Sequence, residues 1–169
     1  MSMNQNLYPH LFQPLTEVTE SDWQKVINTN LTGIFHCMKY ELLQMQKQGR
    51  GAIVNNASIG GLRMAPGFGA YGPSKAGVIA ITQTAALENA DKGIRVNVIC
   101  PGPTQTPLNT PEKVAEFSTW FAERCAQHMD MSLPESSVED QANVILFFAE
   151  DASAAVTGQY LIVDHGTTL

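Results

Sequence analysis

One alternation constrains this chain more than any other feature. Three short β-like stretches, Ala52-Ile53-Val54-Asn55, Ile94 to Cys100 and Gln159–Asp164, are separated by long segments with helical periodicity. Strands kept apart by helices cannot join through tight hairpins, so they pair in parallel with the helices on the sheet faces. The crossovers are expected to be right-handed. In open sheets of this kind, ligands bind beyond the carboxyl ends of the strands. The expected class is therefore α/β, in the order helix, strand, helix, strand, lid, helix, strand.

The helices carry their own punctuation. Thr19 followed by Asp22 resembles a capping box. Trp23, Val26, Ile27, Leu31, Ile34, Phe35, Met38, Leu42 and Met45 then recur at helical spacing to about Gln48, where Gly49-Arg50-Gly51 stops the run. A second helix is expected from about Tyr71 to Asn89, rich in Ala and Gly and so suited to close packing. Ser136 with Glu139 predicts another capping box, ahead of the stripe Val138, Ala142, Ile145, Leu146 and Ala149. Residues 1–18 read as irregular and residues 59–70, with four glycines and a proline, as a loop. Residues 104–135 form a long excursion, amphipathic around Val114–Phe121, expected to be a substrate lid.

Composition excludes several classes. A chain of 169 residues, 44% hydrophobic, suits one domain (1–169). The formal net charge is −6, from ten Lys+Arg against sixteen Asp+Glu, with no basic run. That argues against nucleic acid and anionic membranes as partners. No apolar run approaches the roughly 18 residues of a membrane span. The first residues lack the pattern of a signal peptide, and a cytoplasmic location is expected. Cys37, Cys100 and Cys125 are odd in number and widely spaced, which suits free thiols. His10, His36, His128 and His165 show no ligand spacing, so no metal site is expected.

The chemistry concentrates in Ser58, Tyr71 and Lys75. A phenol, with an ordinary pKa of about 10, is a poor acid at neutral pH, and a nearby ammonium favours its ionised form. Tyr71 and Lys75 are four residues apart and share a face if helical. Ser58 lies just past the first strand and Pro101-Gly102 just past the second, on the rim where the Tyr71 helix begins. Such a trio can trade a proton with an alcohol or ketone while a serine hydroxyl holds the substrate oxygen.

In these pieces the chain resembles the short-chain dehydrogenase/reductase family. They are Asn30-Leu31-Thr32-Gly33, Ile53-Val54-Asn55-Asn56-Ala57-Ser58, Tyr71-Gly72-Pro73-Ser74-Lys75-Ala76-Gly77, Ile94-Arg95-Val96-Asn97 and Pro101-Gly102-Pro103-Thr104-Gln105-Thr106. Val163-Asp164-His165-Gly166 also fits the last strand, though the family more often has a glycine before the final one. The resemblance implies the C-terminal portion of a Rossmann-like, doubly wound parallel sheet with helices on both faces. It implies an NAD(P)-dependent oxidoreductase moving hydride between nicotinamide and a carbonyl or secondary alcohol. Tyr71 would be the acid/base, Lys75 would lower its pKa and bond the nicotinamide ribose, and Ser58 would orient the substrate oxygen. Asn30 would hold a water linking Lys75 to solvent, or serve only as a structural amide. Pro101, Gly102, Thr104 and Thr106 would line the nicotinamide end, with Thr106 alternatively bonding its own loop. Met64, Phe68, Leu108 and the lid would border the substrate; Phe117, Trp120 and Phe121 would either pack the lid or touch substrate.

One departure is large. The family opens with a strand and a Gly-rich turn whose N–H groups hold the cofactor pyrophosphate. These 169 residues contain no such turn, and Gly60-Gly61 follows the serine strand instead. The residue that chooses NAD or NADP is missing with it. The chain is thus expected to start just past that segment, leaving the strand at 52–57 as an edge with both faces uncovered. A second copy, docked through the helices at about 20–47 and 71–89, is the expected homo-oligomer. The competing reading is a truncated, non-catalytic module acting through oligomerisation.

Overall fold

The computed structural model describes residues 12–107 and 119–169. Strands β1 (Gly51–Asn56), β2 (Ile94–Pro101) and β3 (Tyr160–Val163) form a parallel sheet in the order β1-β2-β3. Ile53 pairs with Val96, and Val98 with Tyr160. Around it lie α1 (Glu20–Ile27), α2 (Gly33–Gln48), α3 (Tyr71–Asn89), α4 (Thr119–Cys125) and α5 (Val138–Ala149).

Helices cover both sheet faces. On one, Met38 of α2 and Ala85 and Ala86 of α3 pack on Ile53, Ile94 and Val96. Further along, Val78 and Ile79 of α3 pack on Val98 and Cys100, with Leu31 and Ile162 against them. On the other face α5 lies against all three strands. The small residues of α3 permit this closeness: a Cβ on Gly77 would sit 2.7 Å from a Leu31 methyl.

Four expectations change. The run from Thr19 to Gln48 is helical throughout, but a π-helical turn at Asn28–Thr32 separates α1 from α2. Such turns insert one residue and re-aim the side chains around them. Ile94 to Cys100 alternates apolar with polar residues, as a half-buried strand would, yet Asn97 and Ile99 are as completely buried as Val96, Val98 and Cys100. Asn97 is affordable there because its Nδ2 donates to the Val156 carbonyl (2.8 Å) and its Oδ1 accepts from Gln159 N (3.0 Å). The capping box of α5 is one residue later than expected. Ser137 is the N-cap, accepting from Asp140 N, while Asp140 Oδ2 accepts from Ser137 N. Ser136 is buried instead, and its backbone bridges to the Thr104 loop. Finally, β1 is an edge strand among the described residues, but its faces are not both uncovered. Ile53 and Asn55 are buried under α2 and α3, and α5 reaches the opposite face.

The C-terminal ends of α2 and α5 are closed by local chemistry. Gly49, at φ 68°, ends α2 in the left-handed conformation that only glycine adopts without cost. The Arg95 guanidinium reaches from β2 to the last carbonyls of α5, donating to Phe148 O (2.7 Å) and Glu150 O (3.0 Å). Those carbonyls have no partner within the helix.

Candidate active site

Ser58 leaves the end of β1 and caps the short turn Ile59–Gly61, accepting from Gly60 N at 3.1 Å. The same side chain shares a hydrogen bond with Tyr71. One hydroxyl thus caps the turn and meets the Tyr71 phenol at the same time. The turn then passes directly beneath α3: a Cβ on Gly61 would lie 2.7 Å from the Lys75 carbonyl carbon. Gly60-Gly61 therefore serves as the bed for the Tyr71 helix, which is a physical reason it cannot also cradle a phosphate.

Tyr71 opens α3, and Pro73 sits in its first turn, where a missing N–H removes no helical bond. One turn on, Lys75 Nζ donates to the Asn56 carbonyl at 3.1 Å and lies 5.8 Å from the Tyr71 ring centroid. Burial lowers the Lys75 ammonium from its ordinary value. Tyr71 is raised, not lowered: burial pushes the phenol up, and the Ser58 hydrogen bond pulls against it. The expected depression by Lys75 is not the dominant effect, because removing the phenol from water penalises its anion more than its neighbours stabilise it.

Asn30, in the π-helical turn, donates from Nδ2 to Ser74 Oγ (3.1 Å), and Ser74 Oγ donates to the Tyr71 carbonyl (2.7 Å). Its amide is thus committed to the first turn of α3, one residue from Lys75. Ser74, fully buried, is the link the sequence reading passed over, although it lies inside the quoted motif.

Ser58, Tyr71 and Lys75, but not Asn30 or Ser74, open onto a cleft of about 430 Å³ at the carboxyl ends of the strands. Ser58, Tyr71, Lys75, Pro101, Gly102, Thr104 and Thr106 all line it, as do Gln141 and Ile145 of α5. Gln141 was not anticipated. Its Nε2 donates to the Val163 carbonyl (3.0 Å), which fixes the amide's orientation, and leaves Oε1 buried with no partner among the described residues. A largely apolar recess with Lys75 at its wall and an unmatched amide acceptor suits a flat, amide-bearing ring, so the residues present fit the nicotinamide end of a dinucleotide. Among the described residues no Gly-rich turn follows a strand into a helix in the way a pyrophosphate requires.

The expected substrate border divides. Phe68 packs edge-on against Tyr71, with ring centroids 5.9 Å apart. Met64 is exposed, its sulfur against Gly72. Neither lines the cleft itself, and Leu108 and Phe117 lie outside the described residues. Of the excursion after β2, α4 is described. Phe121 is buried against Phe68 (6.1 Å), and Trp120 borders Gly67 while remaining partly exposed. The excursion is closed at its base, where Gln105 N donates to Ser136 O and Ser136 N to Pro103 O.

The family described as enoyl-(acyl carrier protein) reductase matches residues 3–168. A 3beta-hydroxysteroid dehydrogenase of Mediterraneibacter gnavus is 37% identical over 168 residues, covering 90% of this chain and 60% of that protein. The chain belongs to the short-chain dehydrogenase/reductase family. Within that family, a 3-oxoacyl-(acyl-carrier-protein) reductase of Thermotoga maritima is 40% identical, over 92% of this chain and 61% of its own length. The crystal structure of an NAD+-bound xylitol dehydrogenase superposes with a TM-score of 0.81 at 33% identity, covering 94% of this chain and 65% of that one. The chain therefore spans about 60% of the length of these curated relatives. The short-chain dehydrogenase/reductase pattern also explains a local oddity. His165 stands where the family more often has glycine and holds φ 53°, with its Nε2 3.6 Å from Asp140 Oδ2.

Proposed function

We propose that these residues form the proton-transfer and nicotinamide end of an NAD(P)-dependent oxidoreductase acting on a carbonyl or secondary alcohol. The observation that carries this reading is the convergence of Ser58, Tyr71 and Lys75 on the cleft that Pro101, Gly102, Thr104 and Thr106 also line. When bound, the nicotinamide supplies or accepts the hydride. Tyr71 gives its phenolic proton to the forming alkoxide in reduction and takes it back in oxidation. Ser58 holds the substrate oxygen beside that phenol. Lys75, positioned by the Asn56 carbonyl, places its positive charge next to the ring when the phenolate forms. Asn30 and Ser74 hold the first turn of α3 in register beneath both. Residues 104–135 act as the substrate lid of a single domain. Membership of this family and the lack, among described residues, of a helix long and apolar enough to cross a membrane support a cytoplasmic enzyme.

Tyr71→Phe keeps the ring packing and removes the proton, so cofactor-dependent turnover of a carbonyl substrate is expected to fall by at least about a hundredfold with the melting temperature unchanged. Undiminished turnover in that variant would remove Tyr71 from the mechanism.

A second reading has its own support: a non-catalytic module that acts through oligomerisation. The chain spans about 60% of its relatives' length, and Gly60-Gly61 is consumed in packing. Titration of the 169-residue chain with NADH and NADPH, followed by nucleotide fluorescence, separates the two. Micromolar binding contradicts the module; no binding at millimolar nucleotide contradicts the stand-alone enzyme.

A further inference from the structure

Tyr71 has an aromatic neighbour from a part of the chain that no motif covers. Phe12 precedes α1, in a stretch with no regular periodicity, yet its ring lies 5.6 Å from Tyr71, 5.6 Å from Phe68 and 4.8 Å from Phe121. With Phe68 5.9 Å from Tyr71, four rings form one cluster in which Tyr71 is the polar member. The interplanar angles of the Phe12 contacts with Phe68 and Tyr71 are 51° and 54°. Such tilted contacts are favourable for aromatic pairs.

Phe12 is also held from behind. The backbone of the next residue, Gln13, bridges to Phe68 in parallel, outside the main sheet. Gly69 lets that strand-like segment approach: a Cβ there would meet the Gln13 carbonyl oxygen at 3.0 Å and a Val18 methyl at 2.6 Å. Gly60, too, leaves room for both Tyr71 and Phe68, at 3.4 and 2.8 Å from a built Cβ. The ring that carries the reactive phenol is therefore boxed by a glycine turn, by Phe68 and by Phe12.

We propose that Phe12 is a positioning residue for Tyr71: its ring, braced by Phe68 and Phe121, fixes the Tyr71 ring and keeps water from it. This rests on Tyr71 being the acid/base, but it concerns only how the phenol is held. A loosely held phenol would sample orientations away from Ser58 and Lys75, and water around it would ease its ionisation. The elevation of the Tyr71 phenol by burial accords with this arrangement.

The test uses the full chain and needs neither cofactor nor turnover. Tyr71 ionisation is read from tyrosinate absorbance, taken as the difference between each protein and its Tyr71→Phe counterpart. Phe12→Ala is expected to move the Tyr71 titration down towards the ordinary phenol value, and Phe12→Leu, which keeps apolar bulk, is expected to leave most of the elevation in place. Nitration by tetranitromethane at about pH 8, mapped by peptide mass, gives the second readout without strong alkali. Tyr71 should nitrate about tenfold faster in Phe12→Ala than in the parent, with Tyr40 on α2 as the exposed internal reference. If Phe12→Ala does not fold, Phe12→Val is compared with Phe12→Leu by the same two measurements. A folded Phe12 variant whose Tyr71 titrates and nitrates as in the parent overturns the proposal. A parent chain that shows no dehydrogenase turnover, yet responds as expected here, overturns the enzyme reading and leaves the positioning role standing.

Discussion

Burial acts on single side chains in two ways. At Tyr71 and Lys75 it opposes charge on both groups. The Ser58 hydrogen bond is the contact that pulls the phenol back towards its ordinary value. At Cys100 and Cys125 burial silences the group. Both thiols are pushed up to about 11, so at about pH 8 roughly one in a thousand is ionised. Cys37, exposed on α2, is the contrast. Iodoacetamide on the native chain at that pH should modify Cys37 alone, with the other two reacting only after denaturation. Native labelling of Cys100 at a comparable rate would mean that the floor of the site opens. At this scale legibility in the sequence depended on spacing. Tyr71 and Lys75 are one helical turn apart, so a helix alone brings them together. Phe12 and Gln141 reach the site by tertiary contact across 59 and 70 residues from Tyr71, counted as 71 − 12 and 141 − 71, and nothing local marks them.

Among the elements, strands and helices were legible by type and less so by register. The α3 limits expected from the sequence are those observed, since glycines and prolines delimit it on the N-terminal side. The π-helical turn at Asn28–Thr32 was not legible, because its side chains keep a helical sequence pattern while one extra residue is absorbed. The α5 cap shifted because two adjacent serines, Ser136 and Ser137, each precede an acidic residue by three positions (Glu139 and Asp140). Packing decided between them: Ser136 is drawn into the Thr104 bridge, which leaves Ser137 to cap. Ser137→Ala should therefore cost about 1 kcal/mol of stability by denaturant unfolding, with Ser136→Ala leaving the helix cap intact. The effect should depend on pH. Hydrogen bonds from Ser137 hold the Asp140 carboxyl below its ordinary value of 3.8. A carboxylate favoured in the folded state contributes stability above its unfolded pKa and loses it as pH falls through the lowered folded value. The gap between parent and Ser137→Ala should thus narrow on acidification below about pH 4. A gap that stays constant down to the acid transition would show that Asp140 is not the acceptor.

At the scale of the whole molecule, the homo-oligomer expected from the sequence would need an apolar surface to meet a second copy. Among the described residues the parallel sheet ends at β1 on one side and β3 on the other, and such edges present backbone groups for pairing. Two apolar faces compete to cover the remainder. One lies on α2 and α3, where Phe35, Leu43 and Leu87 are exposed by 44%, 48% and 84%. It belongs to the helices expected from the sequence to mediate dimerisation. The other was not expected: Leu146 and Phe147 of α5 and Tyr160 and Leu161 of β3 are also exposed. The first face includes α3, the helix that carries Tyr71 and Lys75, so a partner there would brace both residues. It is also the more continuous with the buried core, since Ala85 and Ala86 of the same helix pack on the sheet. Sedimentation velocity over a concentration series distinguishes the two faces. If α2 and α3 carry the interface, Leu87→Glu should weaken association at least about tenfold, because a carboxylate buried without a partner in an apolar contact is strongly disfavoured. Leu146→Glu should leave association within about twofold of the parent. The reverse pattern would place the second copy on α5 and β3, and the helix behind Tyr71 would then be free of any partner.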